Sequence, residues 1–401
     1  MFNSLKFKVI LFGFIFTFFS SFGQSYFLGL FNSSIREALS ITHGQFGSIY
    51  ASATLCSSLL LIWVGKKIDD VNIFKFAFFV TVLLSFACFF FSRITSVFLL
   101  FVAIFLMRFS GQGMMSHTAS TTISRYFTRT RGKALSISWF GLSSAEFIMP
   151  VLMVYLLTII DWQNLWLIFS ITVLIVLPIA SFLLIKNLNL DSREANDENI
   201  KEVEIKQWKR IEVIKDYRFY IISSNMLAMP WIFTGFAVFQ SFVQTSKGWG
   251  PYVIAQSFMS YSILSVLTLF LSGFLIDKFT SRKLLIYMNI PLLLSVIVLF
   301  FFDTPVTAFV FLGLVGISNG FANILGSSTW AELYGVKYLG SIKALTTALM
   351  VFATAFGTAL FGYLIDVGFT VGDIAVVSGT YIFISLILLF FVRKKLNPVI
   401  I

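Results

Sequence analysis

The chain has 401 residues, 58% hydrophobic, 18% aromatic and 12% charged, with a formal net charge of +11 and a mean hydropathy of +0.91. A soluble domain carries about a quarter charged residues, so no water-surrounded core accounts for this apolar surplus, and it must face lipid. Cys56, Cys88, His43 and His117 are scattered without ligand spacing, which argues against a disulfide framework or a metal cage, and no cofactor is expected.

In chain order, apolar runs of membrane-crossing length, ~20 residues each, fall at about 8–32, 43–64, 74–92, 96–124, 133–160, 164–186, 217–246, 251–276, 283–302, 305–331, 340–366 and 372–392. They predict an all-α membrane protein with twelve transmembrane helices. Lys6 and Lys8 precede the first run as in a signal peptide. Its apolar length and the eleven runs that follow predict an uncleaved helix instead.

One long polar break, 187–216, separates a first six-helix half (1–186) from a second (217–401). It opens acidic (Asp191, Glu194, Asp197, Glu198) and turns basic (Lys206, Lys209, Arg210, Lys215). Ile200, Val203, Trp208, Ile211 and Ile214 recur at roughly helical spacing. The break therefore reads as a solvated linker, part of which can lie on a membrane surface.

The basic residues set the orientation. Of 29 Lys and Arg, 25 fall in the termini and loops of one side, three (Arg36, Arg93, Lys247) on the other, and Arg108 inside a run. Cytoplasmic loops collect Lys and Arg, so both termini and the linker are expected in the cytoplasm. The positive charge then calls for no nucleic-acid partner. The compact loops suit a bacterial inner membrane.

The halves echo each other. Gly65-Lys-Lys-Ile-Asp69 matches Gly273-Phe-Leu-Ile-Asp277 at an offset of 208 residues, and Tyr126 and Gly132 match Tyr334 and Gly340 at the same offset. A six-span repeat enters the membrane twice with one orientation, as a parallel repeat.

The segment from Gly273 through Asp277 and Lys278 to Arg282 and Lys283 resembles the loop motif of the major facilitator superfamily. So do Arg108-Phe-Ser-Gly111-Gln-Gly113 and the Arg131-Gly132 turn, with the fourth helix of that family. The resemblance implies two parallel six-helix repeats around a central cavity lined by spans one, four, seven and ten. It implies transport of a small-molecule solute by alternating access, and switching roles for Gly65, Asp69, Gly273, Asp277, Lys278 and Arg282. The glycines would permit close helix approach, and the Asp would cap a helix or pair with the basic cluster. The first-half copy departs from the motif, with Asp70 at the usual basic position and Asn72 at the usual glycine. The fifth span lacks the Gly-Pro pair of drug antiporters, and the eighth lacks the charged pair of monocarboxylate transporters.

Charges within hydrocarbon are costly and mark function. Arg108 and Glu146 lie near the centres of the fourth and fifth spans. They are read either as a buried ion pair or as a site in which Arg108 clamps an anionic solute and Glu146 carries a proton. At 100° per residue, Gln112, Met115 and Ala119 share a stripe with Arg108, while His117 points away. Gln24 in the first span, Trp231 in the seventh and Asn319 and Asn323 in the tenth complete the candidates. Asn225 and Gln240 are further polar groups of the seventh span.

No Gly-Lys-Ser/Thr phosphate loop is present to bind ATP. The favoured reading is a secondary active transporter of a small organic anion, with proton coupling. An integral membrane enzyme would need paired His or acidic residues at the membrane edge, and a sensor of this fold a large cytosolic domain. Topology is testable with single cysteines at Asn196 and Gly248 in a background lacking Cys56 and Cys88. An impermeant thiol reagent outside sealed cells should label position 248 alone, and labelling at 196 would refute the orientation.

Overall fold

A computed structural model describes residues 5–127, 130–186 and 206–398, without the side chains of Asp69, Arg131, Asp277 and Ser327. The acidic part of the linker, with Ile200 and Val203, lies outside the described residues. Twelve helices among the described residues are long and apolar enough to cross a membrane: Leu5–Gly29, His43–Ile68, Ile73–Phe91, Val97–Tyr126, Gly132–Leu156, Trp162–Ile185, Tyr217–Val238, Val253–Ile276, Ser281–Phe301, Pro305–Tyr334, Leu339–Asp366 and Val371–Lys395. They are spans 1 to 12 below. Phe98, Phe274 and Phe391 are 72%, 75% and 75% exposed, aromatic bulk that only a lipid surround accommodates.

The chain divides into two compact units, Met1–Asn199 and Ile200–Ile401. In the first, span 1 packs on span 5 and span 3 on span 6. Small residues bring the backbones together, as membrane helices without a hydrophobic drive between them require. A Cβ on Gly141 would collide with the Phe14 carbonyl, and the Thr17 hydroxyl donates across the seam to the Ser138 carbonyl at 2.5 Å. In the second unit, span 8 packs on span 10, span 7 on span 11 and span 9 on span 12. Gly320 lies against the Ser265 carbonyl, where a Cβ would approach to 2.6 Å, and Gly235 lies against the Phe361 ring.

Span 1 is not the continuous helix expected from its apolar run. Its α-helix ends at Ser20, a 3-10 turn covers Ser21–Gly23, Gln24 is extended (φ −81°, ψ 150°), and a short helix resumes at Ser25–Gly29. Opposite this break, residues Arg108–Met115 of span 4 form a π-helix. The two irregularities meet. A Cβ on Gly111 would sit 2.7 Å from the Gly23 nitrogen, and a Cβ on Gly23 would strike the Gln112 nitrogen and Met107 carbonyl. The wider π turn also corrects the expected stripe, because 100° per residue does not hold across 108–115 and Gln112 and Met115 do not stack below Arg108 as on an α-helix.

Residues 206–216 are packed on the second unit. Helix Arg210–Lys215 buries Val213 completely, while Ile211 is exposed, so of the residues the spacing named Trp208 joins the apolar contact, Ile211 does not, and Val213 is added to it. Trp208 packs on Tyr334, its backbone N–H donating to the Tyr334 carbonyl at 3.0 Å. The Lys209 N–H and the Lys206 ammonium hold the Glu212 carboxyl below its ordinary range.

Gly23→Val should cost at least about 1–3 kcal/mol, the usual penalty for overpacking, because its Cβ meets backbone that no rotamer change moves. A thermal denaturation midpoint equal to that of the parent protein would refute the backbone contact.

Candidate functional site

Arg108 opens the π segment and is 4% exposed. One terminal guanidinium nitrogen donates to the Gly23 carbonyl at 3.1 Å and to Ser25 Oγ at 3.3 Å. The Gly23 acceptor is available because the chain turns extended at Gln24, where helical hydrogen bonding lapses. Tyr50 of span 2 places its ring 5.4 Å from the guanidinium carbon and donates its hydroxyl to Ser25 Oγ at 2.9 Å. Arg108 Nε is buried and bonds nothing. Among the described residues no carboxylate stands within ion-pair distance of Arg108. Its partners are a carbonyl, a hydroxyl and a π face, all neutral.

Glu146 of span 5 is 8% exposed and makes no hydrogen bond with another described residue. The ion pair entertained from sequence therefore does not form, and two buried groups of opposite sign sit in one unit without touching. Gln24 and Gln112 are half-buried, and neither side chain is hydrogen-bonded to another described residue. His117 packs away from this cluster, its Nε2 3.0 Å from the Gly65 carbonyl at the end of span 2, and Arg125 donates to the Ile68 carbonyl at 3.1 Å. Ser25 and Tyr50 escaped the sequence reading, since a hydroxyl within an apolar run carries no signal until a buried charge is seen beside it.

In the second unit, Asn319 and Asn323 line a pocket between spans 7, 9, 10 and 11. Asn319 donates to Ser265 Oγ of span 8 at 2.9 Å. Trp231 does not reach this pocket. It is 4% exposed, packed among Phe356, Phe361 and Tyr381, and its carbonyl abuts Gly357. Asn225 is also structural, its amide donating to Ser385 Oγ at 3.4 Å while its backbone carbonyl accepts from the Asn289 side chain at 2.5 Å. Gln240 donates to the Ala237 carbonyl at 3.0 Å.

The two repeated loops differ in how they are tied down. In the first, Gly65–Asp69 is a 3-10 turn and Asn72 caps span 3, accepting from the Phe74 N–H at 2.9 Å. In the second, Thr280, 208 residues after Asn72, adopts φ 68° and ψ 149°. The cap comes from elsewhere, as Glu332 near the end of span 10 accepts from the Ser281 N–H at 2.9 Å and lies 3.4 Å from Arg282 Nε. Arg282 also donates to the Leu396 carbonyl at 2.7 Å, and Arg218 to the Asn397 carbonyl at 2.8 Å, fastening the segment after span 12 to the ends of spans 7 and 9. Lys278 lies over Phe279, 5.3 Å from its ring centre. The side chains of Asp69 and Asp277 fall outside the described ones.

The sequence profile of the Major Facilitator Superfamily matches residues 13–358. The chain belongs to that superfamily. No curated protein matches it in sequence. Among solved structures, a bacterial homolog to the human lysosomal transporter Spinster, inward-facing and unoccupied, aligns with a TM-score of 0.76 at 12% identity over 98% of each chain. The nucleoside transporter NupG aligns with a TM-score of 0.69 at 14% identity over 98% of this chain and 99% of its own. At these identities the likeness is one of fold. Membership makes the chain an integral multi-pass membrane protein and a secondary transporter of a small-molecule solute.

Within this superfamily fold neither loop glycine is held by a close approach: a Cβ on Gly65 would make ordinary contact with His117 Nε2 at 3.4 Å, and one on Gly273 would meet nothing within 4 Å. Thr280 stands at the position corresponding to Asn72, the place of the usual glycine, and keeps a backbone conformation that only glycine adopts without strain. Thr280→Gly should therefore raise stability by about 1 kcal/mol, the released strain less the added backbone entropy of glycine. A lowered denaturation midpoint would contradict the assigned conformation.

Proposed function

We propose that the transporter carries a small organic anion by alternating access, with Arg108 as the carboxylate clamp and Glu146 as the proton-carrying group. The observation that carries the reading is a buried guanidinium without a counter-ion among the described residues. Removing such a charge from water costs several kcal/mol that neutral partners do not return in full. Its Nε is still unused, and a planar fork accepts a carboxylate through two parallel hydrogen bonds. A solute carboxylate supplies the missing charge and acceptors together. The hydrogen bonds to Gly23 and Ser25 hold the fork in place beforehand, which reduces the ordering cost of binding.

Glu146 suits proton transfer because it is buried and separate from the cation, so its charge is not fixed by a permanent partner. The proposal further places both termini and the 187–216 linker in the cytoplasm of a bacterial inner membrane, with two six-span repeats at 1–186 and 217–401. The loops around Gly65–Asp69 and Gly273–Arg282 serve as switching elements. The strained Thr280 joint and its cap from Glu332 make the second loop the more sensitive of the two.

Proteoliposomes holding the pure protein provide the test. Uptake should be found for small carboxylates and absent for neutral sugars of similar size. Arg108→Lys should fold with a near-parental midpoint and bind the carboxylate about 10–100-fold more weakly, the loss of one charge-assisted hydrogen bond at 1.5–3 kcal/mol. Glu146→Gln should retain solute exchange and lose its response to an imposed proton gradient. Undiminished carboxylate transport by Arg108→Lys and Arg108→Gln would overturn the clamp.

A further inference from the structure

The pocket in the second unit has features that a carboxylate clamp does not use. Its volume is about 130 Å³, close to the ~150 Å³ apolar cavity that takes a benzene ring. Four of the eleven methionines, Met226, Met229, Met288 and Met350, line it together with Phe233 and Trp330. Thioethers are polarisable and adapt to flat apolar groups, and they pack well against aromatic rings. The two aromatic walls are themselves braced. Phe233 stacks on Tyr261 with ring centres 4.9 Å apart, and Trp330 stacks on Tyr334 at 6.0 Å.

Some polar groups of this pocket lack partners among the described residues, while the Thr346 hydroxyl is bonded to the Lys343 carbonyl at 3.0 Å. Ser223 is 7% exposed, and its hydroxyl is buried with no hydrogen bond. A buried hydroxyl left so costs free energy unless something completes it. The Asn323 amide bonds no described residue. Asn319 gives one N–H to Ser265, which leaves its second N–H to donate and its carbonyl oxygen to accept. Among the described residues no cationic or anionic side chain lines the pocket.

We infer that this pocket is a binding subsite for a flat, uncharged ring carrying a hydrogen-bonding edge, such as an aromatic amide or a ring alcohol. The ring fills the methionine-walled space, and its polar edge meets Ser223 and the two asparagines. The inference goes beyond the anion reading and does not rest on Arg108.

Benzamide is a suitable probe, with acetamide as the ringless control. With purified full-length protein, millimolar benzamide should raise the denaturation midpoint, since a ligand of the folded state stabilises it. Acetamide should not. Gly326 lines the pocket, and a Cβ there meets nothing within 4 Å, so Gly326→Leu has room at its Cβ and should fill the space and abolish the benzamide shift. Asn323→Ala, at an exposed and unbonded position, should fold regardless and weaken benzamide about tenfold, one hydrogen bond's worth. Arg108→Lys should leave benzamide binding unchanged. No benzamide shift in the parent protein, an equal shift with acetamide, or an unaltered shift in both Gly326→Leu and Asn323→Ala would overturn the inference. Loss of benzamide binding in Arg108→Lys would overturn its independence from the clamp, while carboxylate binding that fails with benzamide binding intact would count against the clamp alone.

Discussion

The hydrogen bond from Arg108 to the Gly23 carbonyl, 3.1 Å long, is the interaction on which the first unit depends. It requires three departures from regular helix at once. Span 1 must release a carbonyl, span 4 must widen into a π turn to present the guanidinium, and both chains must carry glycine where they touch. Gly23 and Gly111 meet the last condition, since a Cβ on either would collide with the other's backbone. In hydrocarbon, backbone irregularity survives only where other groups satisfy the freed polar atoms. Here the buried cation does so, and the break in turn keeps the cation hydrogen-bonded.

That reciprocity explains why the charge can be held without a counter-ion. A carbonyl, a hydroxyl and the Tyr50 ring lower the cost of burying Arg108 without neutralising it. A carboxylate at the same spot would neutralise it and leave nothing for a solute to add. Glu146 is in the same unit but outside the guanidinium's bonding reach, so the two charges remain separately addressable. The second unit contains no such charge in its pocket. Its groups are amides, two hydroxyls and thioethers, and the two units differ in chemistry more than their shared repeat suggests.

Much of this was legible in the sequence. Apolar run length is set by bilayer thickness, so the spans could be read directly, and the 208-residue offset exposed the repeat. Arg108, Glu146, Asn319 and Asn323 stood out because polarity in hydrocarbon is costly. The geometry around them was not legible. A π turn depends on which backbone faces it, and periodicity computed at 100° per residue assumes that turn away. Trp231 shows the opposite error, since a tryptophan in a seventh span looks like a cavity residue, yet Gly357 draws span 11 against its backbone and encloses it. At Thr280 the residue itself gave no hint of a left-handed backbone. Its place in the repeat, 208 residues after Asn72 and at the usual glycine position, held that information.

The central claim is that Arg108 is balanced by neutral groups and not by Glu146. A double-mutant cycle on stability in the absence of solute, with Arg108→Gln, Glu146→Gln and the pair together, measures that balance directly. Residues that share no contact contribute additively within about 0.5 kcal/mol, and that is the result expected here. A coupling energy of several kcal/mol, the size found when a buried ion pair is broken, would mean that the two charges hold each other and would contradict the account.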